Sequence, residues 1–147
     1  MNARKLGGTG GTESFVLVFD TGDDVTKELL AFARRQSIDA ASFSGIGAFE
    51  RVTLGYFELE KRDYKRIPVN EQVEVVSLVG NLARGDDGPK LHAHVVVGRQ
   101  DGSALGGHLI EARVRPTLEI VLVETPAHLR RRSDPATGLA LIDLTKG

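Results

Sequence analysis

"LHAHVVVGRQDGSALGGHLIE", residues 91–111, decides how this chain is read. It holds three of the four histidines, His92, His94 and His108, and its apolar residues alternate with polar ones on both sides of a short polar break. Alternation of period two is the mark of a half-buried strand. The stretch therefore predicts a β-hairpin with its turn near Gln100-Asp101-Gly102. Side chains two apart on a strand share a face, so His92 and His94 point the same way, roughly 6.5–7 Å apart along the backbone. Where His108 points depends on the loop. A two-residue turn at Asp101-Gly102 would set His108 against Val95 and send it to the opposite face. A three-residue loop, Gln100-Asp101-Gly102, needs a left-handed residue at its end, and Gly102 stands there. In that register Gly98 faces Ala104, Val96 faces Gly106 and His94 faces His108, with His92 a diagonal neighbour. We favour the second register, which gathers His92, His94 and His108 on one face within ligand reach.

Three neutral imidazoles with an open fourth position are a familiar zinc arrangement. Gly106 and Gly107 would let a ligand or another chain approach the strand closely. The alternative is a polar, solvent-facing side of a hairpin, or histidines packed at a subunit contact. His128 lies in a polar loop before Arg130 and reads as surface.

The rest of the chain is mostly strand and turn. "SFVLVF" (14–19) predicts a buried strand. Asp23 or Asp24 can cap a helix in which Val25, Leu29, Phe32, Ala33 and Gln36 form one stripe, with Arg34 and Arg35 in the last turn. "AASFSGIGAF" carries two glycines among small residues and predicts a bend or bulge. "RVTLGYFEL" and "YKRIPV" flank a charged turn and form a second hairpin. "QVEVVSLVGNLA" predicts a strand and "RGDDGP" a sharp loop after it. "TLEIVLVET" predicts a separate, central strand. "RRRS" (130–133) reads as a solvated turn, and "TGLALIDL" as a short last strand. The expected class is α+β, a two-layer arrangement of a mainly antiparallel sheet packed with one or two helices. Residues 1–13 are expected to be a tail or edge strand, and 14–147 one domain.

Composition narrows the function. The 147 residues are 41% hydrophobic and 27% charged, ordinary for a globular chain. The net charge of -1 does not suit a dedicated DNA-binding domain, which usually carries a basic face. There is no cysteine, which excludes thiolate metal sites and fits a cytoplasmic location. No apolar run is long enough to span a membrane, and the first residues have no secretory h-region. "SGIGA" is not followed by a capped helix and so is not a phosphate loop. Glu119 interrupts an apolar strand. It is a candidate buried or interface carboxylate and, like Glu111, a candidate acid/base beside a metal.

The succession "SFSGIGAFERVTLGYF", "VEVVSLVGNLA", "KLHAHVVVGRQDGSALGGHLIEA" and "TLEIVLVE" resembles the plants and prokaryotes conserved (PPC) domain, over about residues 14–144. Its most specific part is the H-x-H…GGH-L segment. The resemblance implies a compact domain with one or two helices beside an antiparallel sheet, assembled as a homotrimer. It implies that His92, His94 and His108 match the histidine pattern of stand-alone prokaryotic members, with zinc as the metal. Plant members commonly carry serine where His108 stands, so the fold does not require that histidine. The role most often assigned to the family is DNA-binding or regulatory, which the resemblance carries here; the alternative is a metal-dependent enzyme or small-molecule binder. The Arg-Gly-Arg-Pro hook that enters the minor groove in plant relatives does not occur in this sequence.

Overall fold

A computed structural model describes residues 1–7, 12–125 and 129–145; His128 lies outside the described residues. Nine strands and one helix follow in the order β1 (Asn2–Gly7), β2 (Ser14–Phe19), α1 (Val25–Arg35), β3 (Ala41–Glu58), β4 (Asp63–Val69), β5 (Val73–Gly85), β6 (Gly88–Gly98), β7 (Ala104–Glu124), β8 (Arg130–Ser133) and β9 (Ala140–Asp143). All nine strands belong to one sheet. Its pairings are antiparallel except a single contact between β5 and β8. No helix among the described residues is long and apolar enough to cross a membrane.

The sheet is mainly antiparallel, as expected, and part of it closes on itself, which the sequence did not indicate. β7 pairs with β3, β3 with β5, β5 with β6, and β6 returns to β7, so four strands close a ring. The inward residues of those strands make the core: Phe43, Phe49, Leu54, Leu78, Leu82, Val95, Val97, Leu118, Ile120 and Leu122 are all buried. One inward row is so tight that a Cβ on Gly80 would lie 2.4 Å from the Phe43 ring. That explains the glycine in an otherwise β-branched strand.

β6 and β7 touch only from His94–His108 to Gly98–Ala104, and beyond His94 they diverge. α1 packs on both strands there. Its buried stripe is Val25, Leu29, Phe32 and Ala33, and Phe32 meets Phe15 of β2 edge to face at 5.2 Å. The start is set as expected: the Asp24 carboxylate accepts the Lys27 N–H at 3.1 Å. The end falls at Ser37, which takes a left-handed φ of 55°.

Several sequence expectations hold. The Gly45–Gly47 segment is a bulge, where the β3–β5 register shifts. Residues 2–7 form an edge strand on β2. Two expectations are corrected. "SALGGHLIEA" and "TLEIVLVET" are one strand, β7, because it changes partners along its length from β6 to β2 while keeping β3 on its other side. "RRRS" is strand β8, paired to β9, and its middle residue Arg131 is only 8% exposed. Charge alone suggested solvent, but the guanidinium is held by hydrogen bonds that only the folded neighbours supply. One helix stands among the described residues, within the one or two expected.

Candidate metal centre

The hairpin forms in the three-residue register. Gly102 has φ +82°, its N–H reaches the Arg99 carbonyl at 2.9 Å, and Arg99 N–H closes on the Ser103 carbonyl at 2.8 Å. Gly98 then pairs with Ala104, Val96 with Gly106 and His94 with His108. His108 is the fork of the sheet, since it pairs with His94 of β6 on one side and Gly55 of β3 on the other. The strands come very close here. A Cβ on Gly107 would stand 2.9 Å from the Gly55 carbonyl.

His92, His94 and His108 share the outward face. Their ring centroids form a near-equilateral triangle with sides of 5.1, 5.2 and 5.6 Å. One nitrogen from each lies within 4.8 Å of the other two. The Nε2 atoms of His92 and His94 are 3.2 Å apart. Two nitrogens on one tetrahedral zinc at about 2.0–2.1 Å stand about 3.3 Å from each other, so the donor set fits the ion. His108 Nδ1 is buried and meets no hydrogen-bond partner among the described residues. Burial pushes the His108 imidazole down to about 4, helped by His92 and His94 beside it. Burial also lowers His92, with the positive charge of Arg131 and the neighbouring His94 adding to it. Imidazoles so shifted are neutral near pH 7, the form that ligates metals.

Three side chains that sequence reasoning missed frame this triangle. Tyr64 of β4 stacks on His108 with centroids 4.5 Å apart and planes 23° apart. It can lie there because Gly55 has no side chain; a Cβ at Gly55 would sit 2.8 Å from the Tyr64 ring. Asn81 of β5 stands directly across from His92, and its Oδ1 accepts a hydrogen bond from the Arg131 guanidinium at 2.6 Å. The second arm of Arg131 donates to the Ala140 carbonyl at 2.6 Å. A glycine inside the "TLGYF" strand was the available signal for Tyr64. Arg131 could have been found by reading "RRRS" as a strand whose middle residue turns inward.

The two glutamates lie apart from the triangle. Glu111 accepts from Thr53 at 3.1 Å and from Arg66 at 2.6 Å and lines a separate polar cleft of about 230 Å³ with Asp24, Lys27 and Arg113. Glu119 is exposed rather than buried and stands between Val18 of β2 and Ile46 of β3. Neither is among the groups that meet at the histidines. A wider cleft of about 700 Å³ opens at His108, with Tyr64, Arg34, Arg66 and Lys90 on its walls.

Fold and site together define a mainly antiparallel β protein, with one helix among the described residues and three imidazoles converging on the outer face of the sheet. The sequence matches the family described as the Plants and Prokaryotes Conserved domain over residues 7–126, and the chain belongs to that family. Solved relatives cover nearly all of it. The metal-containing protein of Archaeoglobus fulgidus is 35% identical, with 88% of this chain and 91% of that chain aligned at a TM-score of 0.82. The plant- and prokaryote-conserved protein of Pyrococcus horikoshii is 33% identical over 92% and 96% of the two chains, TM-score 0.84. A candidate DNA-binding protein of Bacteroides thetaiotaomicron is 29% identical over 98% and 99%, TM-score 0.86. The chain is also 32% identical over 141 residues to the bifunctional protein GlmU of a Synechococcus strain, and spans 21% of that protein's length.

Proposed function

We propose that this protein binds a divalent metal, zinc, through His92, His94 and His108, and uses it to hold or act on a small molecule. The observation that carries the reading is the convergence of three ring nitrogens within 4.8 Å with no carboxylate among them. The likeness to a metal-containing protein supports it. Three protein ligands leave a coordination position for a ligand, and zinc in such a site polarises a carbonyl or activates water. This chain's own residues would orient the donors: Tyr64 by stacking on His108, Asn81 by facing His92.

The test is metal content. Untagged protein purified without chelators is expected to carry close to one zinc per chain by mass spectrometry, and the His92→Ala/His94→Ala variant almost none. Equal metal in both, or none in either after dialysis against zinc, would overturn the reading.

DNA binding is the second reading, favoured by the likeness to a candidate DNA-binding protein. It predicts retention of duplex DNA that weakens steeply with salt. No retention at low salt would end it. A homotrimer in the cytoplasm completes the proposal. The family resemblance implies the trimer, and the exposed Ile46, Val76, Val79 and Val121 on the outer face supply apolar surface for a partner subunit to cover. The cysteine-free composition fits the compartment.

A further inference from the structure

Arg131 is left unused by metal ligation. Its residue is 8% exposed, and two of its arms are fixed on Asn81 and Ala140. Its Nε–H is buried and finds no partner among the described residues. No carboxylate is within ion-pair distance of it among those residues, although its neighbours Arg132 and Arg84 each have one. A buried cation without a counter-charge is costly. If Arg131 served only to tie β8 to β5, a neutral donor would do the same work without that cost. The charge is instead placed one residue from the histidines: Arg131 holds Asn81, and Asn81 faces His92 across the ladder. A divalent ion on three neutral imidazoles would add two more positive charges beside it. The cleft that opens on the other side, at His108, has Arg34, Arg66, Lys90 and Asp63 on its walls; Arg66 is paired with Glu111 and Lys90 with Asp87, which leaves Arg34 there with no ion-pair partner among the described residues. Arg131 on one flank and Arg34 on the other thus carry charges with no ion-pair partner among the described residues, although Asp86 and Asp143 line the cleft that Arg131 shares.

We propose that the small molecule taken by this site is an organic acid, whose carboxylate is held between the metal and the Arg131 guanidinium. The inference rests on the metal reading above and names the ligand class for it. A carboxylate supplies an anionic oxygen for the open coordination position and at the same time a counter-charge for the guanidinium, whose positive charge is felt at His92. A neutral ligand would leave Arg131 as costly as it stands without one.

Cobalt(II) in place of zinc gives a visible spectrum that reports coordination, and glycolate is the probe, with neutral glycolamide as its control. Cobalt uptake is measured first, by equilibrium dialysis. Glycolate is then expected to change the spectrum of the loaded protein at concentrations where glycolamide does not. Arg131→Gln is expected to bind cobalt as the parent does and glycolate about 10- to 100-fold more weakly, the range for losing a charge-assisted hydrogen bond. Arg131→Lys, which keeps the charge, is expected to fall between. Unchanged cobalt affinity in the variants reports that the site is still folded, and the glycolate–glycolamide comparison on the parent protein stands without any variant. If cobalt binds but glycolate and glycolamide behave alike, or Arg131→Gln binds glycolate as the parent does, the organic-acid inference is wrong and the metal reading survives. If no cobalt binds, both fall.

Discussion

At His108, one ring answers to three neighbours. It stacks under Tyr64, stands across from His94 and lies beside Gly55. The absence of a side chain at position 55 is what lets the stack form, so Gly55→Ala must push the Tyr64 ring away. Overpacking of this kind costs about 1–3 kcal/mol, and chemical denaturation is expected to show it. Tyr64→Phe, which keeps the ring, is expected to be close to neutral. The same ring sets a pH dependence. Folding lowers His108 to about 4 and lowers His92 as well, whereas in the unfolded chain both titrate near 6.5. Below pH 6.5 the unfolded chain therefore takes up protons that the folded one refuses. Stability of the metal-free protein is expected to be level above that pH, to fall as pH drops from about 6.5 towards 4, and this contribution to flatten below. Urea midpoints at pH 7 and pH 5 check it, and His108→Gln is expected to flatten the slope. The residues of this site were unequally legible. The three histidines could be placed because alternation and one glycine fix a local register. Tyr64 and Arg131 could not, because they arrive from strands paired through long-range contacts that no local pattern encodes.

The β6–β7 hairpin is the element on which the site stands, and its loop sets the register. Gly102 at φ +82° has open space around it, so a side chain there would meet no neighbour and its cost is purely conformational. Gly102→Ala is expected to lower stability by about 1 kcal/mol. It is also expected to weaken zinc binding, since any drift toward a two-residue turn carries His108 to the wrong face. Zinc titrations of the two proteins at equal folded fraction would detect that. The helix was legible for the same local reason as the hairpin: cap, stripe and end lie within a few residues of one another. Asp24→Ala, which removes the cap, is expected to cost about 1 kcal/mol in a thermal melt. Strand β7 was legible only in halves. "RVRP" interrupts its alternation, and the sequence does not reveal that the strand continues while exchanging one neighbour for another.

At the scale of the whole molecule, the helix-plus-sheet class was legible and the closure of the sheet was not. Closure follows from β6 meeting β7 while both also belong to a chain of pairings through β3 and β5. Its consequence is an outer surface. One row across it runs Val16, Val121, Ser44, Val79, His94, His108, every step a paired register. Val121 and Val79 in that row are about half exposed, at 47% and 51%. If this row is where trimer subunits meet, Val79→Glu is expected to shift the sedimentation coefficient from trimer to monomer while leaving the circular dichroism unchanged. A parent protein that already sediments as a monomer would dispose of the trimer.

The pairing of β2 with β7 has a kinetic side. Ser14 lies against Val123, a separation of 123 − 14 = 109 residues. The first core strand to leave a ribosome has β1 beside it from the start but waits for nearly the whole chain before its second partner, β7, exists, while the later hairpins can close within a few residues of their own synthesis. Proteins governed by such distant pairings fold in milliseconds to seconds rather than microseconds. During that interval the Phe15, Leu17 and Phe19 side of β2 has only the young helix to shelter it. Nascent chains halted before β7 leave that apolar side without the strand that covers it in the finished fold.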